Sequence, residues 1–201
     1  MTTKEPNHWL RRDFIDSRNA KRLDIEIQYN LHNCPKANTS QFCNTNLTLY
    51  VYHANTSQPV PDPAKGMFQK EAVITPKSLP PQGTSKTDIF RGSVVTRARG
   101  IYLAILDQGG CITLTKVVIS YRYCPRISGT FPFPRTVAPA NDSDLKTQEG
   151  RCTDVNSVNK VNSSSACLSN GEWNITNDSV CLCKAGYELV NRTIAAFECK
   201  G

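Results

Sequence analysis

The segment Leu23–Leu31, with the sequence LDIEIQYNL, decides the fold class. Its odd-numbered positions are apolar or aromatic, whereas its even-numbered positions are the polar residues Asp24, Glu26, Gln28 and Asn30. A period of two is that of a β-strand, because successive side chains of a strand point to opposite faces of the sheet. The segment is therefore predicted to be a strand with one buried face and one solvated face.

The same alternation recurs at residues 46–53, where apolar residues alternate with Thr48, Tyr50 and Tyr52. We interpret these two tyrosines, together with Tyr121 and Tyr123, as cross-strand packing partners rather than as a contact surface. If this strand and the first run antiparallel and are joined by a short loop, Cys34 and Cys43 come together. We therefore predict a disulfide between these two cysteines.

Two further strands follow a loop-dominated region at residues 58–85, which has one short candidate strand at residues 71–75. Residues 100–106 (GIYLAIL) form a continuous apolar run, which is typical of a strand buried on both faces. A turn at residues 107–110 leads to a long strand at residues 111–123. The apolar parity switches within that strand, so we predict a β-bulge near Lys116. The first 125 residues contain no convincing amphipathic helix, and the predicted fold class is all-β.

Cysteines and glycosylation motifs indicate the secretory pathway. Five of the nine cysteines fall in the last 50 residues, a density typical of small extracellular modules. Neither the cysteines nor the three histidines show the spacing of zinc ligands, so no metal and no cofactor is expected. Asn-x-Ser/Thr motifs, which accept N-linked glycans, number eight. They begin at Asn38, Asn46, Asn55, Asn141, Asn162, Asn174, Asn177 and Asn191.

The formal charge of +7 is spread along the chain rather than clustered. We interpret it as a solvated basic face, with a heparan-type polyanion as the remaining alternative and no expectation of nucleic-acid binding. No stretch approaches the length of about 20 apolar residues that spans a bilayer. The first seven residues also lack the apolar run of a secretory signal.

Two long motifs resemble a known receptor family. Residues 99–111 (RGIYLAILDQGGC) and residues 117–125 (VVISYRYCP) closely resemble the ephrin-binding domain of Eph receptor tyrosine kinases, and residues 7–10 (NHWL) look like an earlier strand of it. The resemblance implies a jelly-roll β-sandwich at residues 1–125 that lacks its opening strands. It also implies a linker at 126–148, a sushi-like cysteine-rich module at 149–183 and the start of an epidermal-growth-factor-like module at 184–201.

The resemblance also implies a disulfide pattern. In the second half it gives the pairs Cys124–Cys167, Cys152–Cys181 and Cys183–Cys199. In the family, the cysteine that matches Cys111 pairs with one upstream of the region where this chain begins, so Cys111 is expected to be unpaired. Cys111 and Cys124 lie on one predicted strand, about 40 Å apart, and cannot bond to each other.

By the same resemblance, the chain binds an ephrin-type cell-surface protein through an apolar channel. The implied ligand-binding residues are His32, Asp107, Gln108, Gly109 and Gly110. The walls of the channel would also include the loop at residues 16–21 and the region at residues 75–96. Family members carry Arg-Asp where this chain has His32-Asn33, so an ion pair to a ligand carboxylate would depend on pH here.

The predicted function is that of the extracellular ephrin-binding portion of a receptor at the plasma membrane, with receptor clustering as a further association. If the chain is a product by itself, it would be secreted. No kinase motif and no catalytic constellation is present, so no enzymatic activity is expected. The alternative is an adhesive or glycan-binding jelly-roll protein, secreted or on the cell surface, without a kinase.

Overall fold

The computed structural model describes residues 6–33, 45–127, 132–159, 164–174, 181–192 and 197–201, with the backbone alone at 191, 192 and 197. The chain divides into two compact units, Met1–Ser120 and Tyr121–Gly201. In the described part of the chain, no helix is long and apolar enough to cross a membrane.

The first unit is a β-sandwich, as expected for an all-β fold. Its strands are β1 (His8–Asp16), β2 (Arg22–His32), β3 (Leu47–Ala54), β4 (Gln69–Ile74), β5 (Ser85–Val95), β6 (Gly100–Asp107) and β7 (Ile112–Ser120), with a 3-10 turn at Pro63–Lys65. One antiparallel sheet has the order β1-β6-β3-β4, and the other has the order β5-β2-β7.

Strand β2 forms the centre of the three-stranded sheet, which confirms the strand predicted from its alternation. Ile25, Ile27, Tyr29 and Leu31 are each at most 2% exposed. The polar residues between them face outward, where Glu26 accepts a 2.9 Å hydrogen bond from Nε of Arg91 on β5. The period of two therefore reports a strand that is buried on one face only.

Strand β3 is also confirmed, but it does not pair with β2. Both edges of β2 are occupied, by β5 and by β7. Strand β3 pairs with β6 and β4 in the other sheet. The connection between β2 and β3 therefore crosses from one sheet to the other, and the predicted Cys34–Cys43 disulfide within it lies outside the described residues.

Strand β6 is buried along almost its whole length, as predicted from its apolar run. Its inward side chains, such as Ile105, contribute to the core between the sheets. On its other face, Tyr102 and Ala104 lie under an aromatic layer that includes Tyr52, whose ring centroid is 5.9 Å from that of Tyr102. Because both faces are covered, β6 carries no charged residue before Asp107 at its end.

A covering segment, residues 55–68, lies over this aromatic layer. The hydroxyl of Tyr102 accepts a 2.6 Å hydrogen bond from the Gln58 N–H and donates a 2.7 Å bond to the Gln58 carbonyl. Phe68, at the end of the segment, packs 5.9 Å from Tyr52 between ring centroids. Tyr50 packs against Trp9 in the same layer, at 5.1 Å. Tyr50 and Tyr52 therefore pack as predicted, whereas Tyr123 is 42% exposed, with the Arg135 guanidinium over its ring.

Strand β7 contains the predicted bulge. Its register against β2 shifts so that Leu114 lies opposite Tyr29 and Lys116 lies opposite Gln28, which leaves Thr115 as the extra residue. The hydroxyl of Thr115 donates a 3.0 Å hydrogen bond to the Gln28 carbonyl. The bulge explains the parity switch, because it lets apolar residues on both sides of it face inward.

The second unit consists of short strand pairs joined by disulfides. Its strands are β8 (Tyr123–Cys124), β9 (Thr136–Val137), β10 (Lys146–Glu149), β11 (Ser157–Asn159), β12 (Ser164–Cys167), β13 (Trp173–Asn174), β14 (Cys181–Cys183), β15 (Glu188–Arg192) and β16 (Phe197–Lys200). Strand β9 pairs with β8, and β10 pairs with β12. The predicted linker at residues 126–148 therefore contains strand β9 and most of β10, and both belong to the sheets of this unit.

Candidate functional site

The predicted ligand-binding residues lie together at one end of the sandwich. The His32 N–H, at the end of β2, donates a 2.8 Å hydrogen bond to the carbonyl of Cys111, just before β7. Asp107, at the end of β6, lies opposite His8 of β1 and Leu47 of β3 in the sheet register. His32 and the turn at residues 107–110 therefore belong to the same end, although they extend from different sheets.

The turn is held by the carboxylate of Asp107. Its Oδ1 accepts hydrogen bonds from the N–H groups of Gly109 (3.1 Å) and Gly110 (2.8 Å). Gly109 has a φ of 90°, a conformation that suits glycine because it has no Cβ. The side-chain amide of Gln108 donates to Oδ1 of Asn7 at 3.2 Å. One carboxylate oxygen thus fixes the turn, while Oδ2 retains capacity to accept a bond from a ligand.

An apolar cleft opens beside this turn, between β1, β6 and β7. We name it the end cleft; its volume is about 370 Å³. The lining residues are His8, Trp9, Leu10, Leu47, Ile105, Asp107, Ile112 and Leu114. Of the predicted ligand-binding residues, Asp107 alone lines it. Its walls are mainly aliphatic, so the end cleft can bury an apolar side chain, and the adjacent carboxylate can accept one hydrogen bond.

His32 and Asn33, at the end of β2, do not line the end cleft. His32 is exposed and lies opposite Ser85 of β5. The side-chain amide of Asn33 donates a 2.9 Å hydrogen bond to the Pro80 carbonyl, which connects β2 to the loop before β5. Asn33 therefore has a structural role, and a binding role for His32 stays a prediction.

The loop at residues 16–21 lies at the opposite end of the sandwich. The N–H and hydroxyl of Ser17 both donate to the Arg99 carbonyl, at 3.0 and 2.8 Å. Strand β2, which runs between this loop and His32, has 11 residues. At about 3.3 Å per residue the two ends are about 33 Å apart. The expectation that both segments line one channel is therefore wrong.

Charges at that opposite end are fixed within the protein. The Arg18 N–H donates a 2.7 Å hydrogen bond to Asp16, and this bond is the main reason that the Asp16 pKa is lowered. The guanidinium of Arg99 also pairs with Asp16, at 3.1 Å. His53 accepts a bond from the Arg97 N–H at 3.4 Å, and burial lowers its pKa below the ordinary value. These contacts stabilise the loops at that end.

A separate cavity, of about 310 Å³, lies where β4 and β5 face each other at the side of the sandwich. Asp88 of β5 points into it and accepts hydrogen bonds from the N–H groups of Lys77 (3.2 Å) and Ile89 (2.9 Å). Burial, together with the charge of Asp88, raises the pKa of Tyr29, which also lines this cavity. The carboxylate is already satisfied by the protein, which indicates a structural role.

Apart from Asp107, the residues that form the walls of the end cleft were not predicted from the sequence. Ile112 and Leu114 occupy inward positions of β7 and are only half-buried, in contrast to the fully buried residues opposite them on β2. In a sequence, such residues look like ordinary core. A signal was nevertheless present, since both follow directly after the turn that was predicted to bind the ligand.

The second unit forms the three disulfides that the resemblance implies. They join Cys124 to Cys167, Cys152 to Cys181, and Cys183 to Cys199, with Cα–Cα separations of 5.6–5.8 Å. Such separations are those of unstrained disulfides. Cys111, in the first unit, is half-buried, and its expected lack of a disulfide partner stays a prediction.

Four of the eight glycosylation motifs have a described asparagine side chain. Asn55, Asn141 and Asn174 are exposed, whereas Asn46 is half-buried. Asn38, Asn162 and Asn177 lie outside the described residues, as does the side chain of Asn191. Glycosylation at all eight positions stays a prediction. Among the described side chains, no group of three or more His, Cys, Asp or Glu residues could hold a metal ion.

Each of the two units matches a known domain family. Residues 1–124 match the ephrin receptor ligand binding domain, and residues 128–183 match the ephrin cysteine rich domain. Similar proteins include ephrin type-B receptor 5 of Gallus gallus, which is 28% identical over 208 residues and covers 96% of this chain. Ephrin type-A receptor 4-B of Xenopus laevis is 29% identical over 199 residues and covers 92% of it.

The matched region is a small part of these relatives. This chain spans 21% of the Gallus gallus protein and 19% of the Xenopus laevis protein. The match therefore covers only one part of each of these longer relatives. The family match covers more than half of the chain.

Proposed function

The chain belongs to the ephrin receptor family, and from this premise we propose that it is the extracellular, ephrin-binding portion of such a receptor. In this proposal the sandwich receives the ligand and the cysteine-rich unit connects it to the rest of the receptor. The chain itself carries out no catalysis. Clustering of receptors after ligand binding, and placement at the outer face of the plasma membrane, belong to the same proposal.

The observation that carries this proposal is the end cleft. Its aliphatic walls suit an apolar loop of a protein ligand, and Asp107 provides one polar contact at the rim. Hydrophobic burial contributes about 25 cal/mol per Å² before ordering costs, so one large side chain in the end cleft would provide much of the affinity. The turn beside it is already ordered by its own hydrogen bonds, which lowers the entropic cost of binding.

The extracellular placement is supported by the covalent chemistry of the second unit. Three disulfides within 81 residues are rare in reducing compartments and common in secreted modules. The exposed glycosylation motifs at Asn55, Asn141 and Asn174 agree with export.

Binding to a panel of ephrin ectodomains, measured by surface plasmon resonance, tests the proposal. We expect saturable binding to at least one of them. Leu114→Arg would place a long charged side chain in the end cleft and should weaken binding at least about tenfold, because it removes an apolar contact and buries a charge. Thr113→Arg is the matched control, since Thr113 is exposed on the outer face of the same strand.

Equal loss of binding in both variants would show that the end cleft is not the ligand site. The absence of saturable binding by a protein with a cooperative melt would contradict ephrin recognition itself. Specific retention on a glycan array in that case would favour the adhesive or glycan-binding alternative.

A further inference from the structure

One glycosylation motif of the sandwich lies at the end that carries the predicted ligand-binding turn. The motif consists of Asn46, Leu47 and Thr48, where β3 begins. Leu47 lies opposite Asp107 in the register of β3 with β6. Continued by one residue, the same register places Asn46 opposite Gln108, at a Cα–Cα distance of about 5 Å. Asn46 is therefore a direct neighbour of this turn.

On the β1 side of β6, contacts continue past the paired ends of the strands. His8 of β1 is the last residue in register there, opposite Asp107. One residue further out, the side-chain amide of Gln108 donates a 3.2 Å hydrogen bond to Oδ1 of Asn7. Because β6 lies between β1 and β3, Gln108 has Asn7 on one side and Asn46 on the other.

The side chain of Asn46 belongs to the outer face of its sheet. Leu47 faces inward, where it is 1% exposed and lines the end cleft. Because side chains alternate along a strand, Asn46 and Thr48 lie on the opposite face. Both are half-buried, so each keeps contact with solvent. A glycan on Asn46 would therefore extend from the outer face beside the turn and would not fill the end cleft.

The second described motif of the sandwich lies at the opposite end. It begins at Asn55, directly after β3, which has 8 residues. At about 3.3 Å per residue, Asn55 is about 30 Å from Asn46. Asn55 is exposed, and its Oδ1 accepts a 3.2 Å hydrogen bond from the Arg99 N–H. The two motifs thus form a matched pair on one strand, one beside the turn and one remote from it.

We propose that an N-linked glycan on Asn46 shields the ligand-binding turn and slows the arrival of a protein ligand. The inference rests on the proposed function, since it requires export and a ligand at this end of the sandwich. In the modification, the Asn46 amide nitrogen displaces the diphosphate of a lipid-linked oligosaccharide. The C1–N bond forms, the C1–O bond to the diphosphate breaks, and the amide loses one proton. The glycan is bulky and hydrated, so it occupies space beside Gln108.

Shielding of this kind acts on association and not on dissociation. A site that is uncovered for only part of the time has an apparent dissociation constant raised by the inverse of the uncovered fraction. If the turn is uncovered about one tenth of the time, the association rate falls about tenfold. Once the ligand is bound, its contacts are the same with and without the glycan, so the dissociation rate does not change.

The test uses protein secreted from mammalian cells with uniform high-mannose glycans, and peptide mapping by mass spectrometry measures the occupancy of Asn46. Surface plasmon resonance with the ephrin ectodomain panel gives the rates. Thr48→Val removes the motif but keeps a β-branched side chain, and it should raise kon about tenfold with koff within about twofold. Thr48→Ser keeps the motif and should leave both rates unchanged. Ser57→Ala, which removes the motif at Asn55, should also leave them unchanged.

Enzymatic trimming gives a second test, which does not depend on a substitution in β3. An endoglycosidase that leaves a single N-acetylglucosamine on each occupied asparagine should raise kon of the unaltered protein about tenfold. The same treatment should have no further effect on Thr48→Val. This difference would assign the gain to Asn46 rather than to a glycan elsewhere.

Three results would overturn the proposal and leave ephrin recognition intact. They are an unoccupied Asn46, equal association rates for the unaltered and the trimmed protein, and a gain in Thr48→Val that lies in koff. The last result would show that the substitution acts on the site itself. The absence of binding in every form, glycosylated or trimmed, would contradict the proposed function, and the shielding role would fail with it.

Discussion

At the scale of single residues, Asp88 shows how one carboxylate can hold two sheets together. It occupies an inward position of β5, opposite Tyr29 of β2. Its bond from the Lys77 N–H connects β5 to the chain that follows β4 in the other sheet. This backbone hydrogen bond is the main cause of the lowered Asp88 pKa, because it favours the ionised form.

A dependence of stability on pH follows from this shift. The Asp88 pKa in the folded state lies below the ordinary value of 3.8, so the folded state favours ionisation more than the unfolded state does. The resulting stability is present above pH 3.8 and is lost as the pH falls through the lowered pKa. Asp88→Asn should therefore lower the Tm at pH 7 and reduce the further loss of Tm on acidification.

Differential scanning fluorimetry between pH 3 and pH 7 measures this difference. The pKa values of Asp16, Asp142 and Asp154 are also lowered, so acid should destabilise both proteins through these groups. The contribution of Asp88 is the difference between the two pH profiles. Profiles that remain parallel over the whole range would contradict the assigned role.

At the scale of the element, the bulge in β7 controls which side chains reach the core. Thr115 is the extra residue, and because of it Leu114 and Val117 both face inward although three positions separate them. A shift of one residue in a strand moves every following side chain to the other face of the sheet. The bulge thus determines which side chains of β7 face the other sheet.

Insertion of one residue into β7 should therefore be far more harmful than removal of the bulge. Deletion of Thr115 lets Lys116 follow Leu114 directly, so Leu114, Val117 and Ile119 still face inward, and we expect a loss of about 1 kcal/mol in the free energy of unfolding. An alanine inserted between Lys116 and Val117 would turn Val117 and Ile119 outward, and we expect a loss of more than about 3 kcal/mol, or no folding at all. Urea denaturation of the two variants distinguishes these outcomes, and similar losses in both would contradict the role of register in β7.

The sequence predicts where the strands lie better than it predicts which strands pair with each other. Strands β2 and β6 were found because alternation and a continuous apolar run report how many faces are buried. Neither pattern reports which sheet a strand joins, and for this reason the sequence did not show that β3 pairs with β6 and β4 in the other sheet from β2. Strand β5 was missed because two of its inward positions hold Lys86 and Asp88, which find polar partners at the side of the sandwich.

The candidate site could be predicted only in part, for a related reason. The turn at residues 107–110 was identified through its resemblance to a family motif, and the structure places it beside the end cleft. The walls of the cleft depend on which edges remain open, and Ile112 and Leu114 carry no local signal of this.

At the scale of the whole molecule, the two units differ in what stabilises them. The first unit has an apolar core between two sheets. The second has short strands and three disulfides, which close loops of 43, 29 and 16 residues. Loop-closure entropy assigns about 3–4 kcal/mol to each disulfide of this length. The second unit therefore depends on oxidation much more than the first.

Reduction should accordingly unfold the second unit and leave the sandwich folded. Hydrogen exchange before and after treatment with a phosphine reductant measures this separately for each unit. We expect protection to be lost in residues 121–201 and to persist in β2 and β6. Loss of protection in both units at the same reductant concentration would show that the sandwich cannot remain folded without its neighbour.

The two hydrogen bonds between the Tyr102 hydroxyl and the Gln58 backbone have a consequence for how this fold can vary in evolution. One phenol hydroxyl fixes the covering segment at a single point, and it contacts the backbone of Gln58 rather than its side chain. Any residue other than proline supplies the same N–H and carbonyl, so the identity of residue 58 is nearly unconstrained while the tyrosine is not. Insertions and deletions are therefore expected on either side of this point among related chains, with the aromatic layer beneath unchanged.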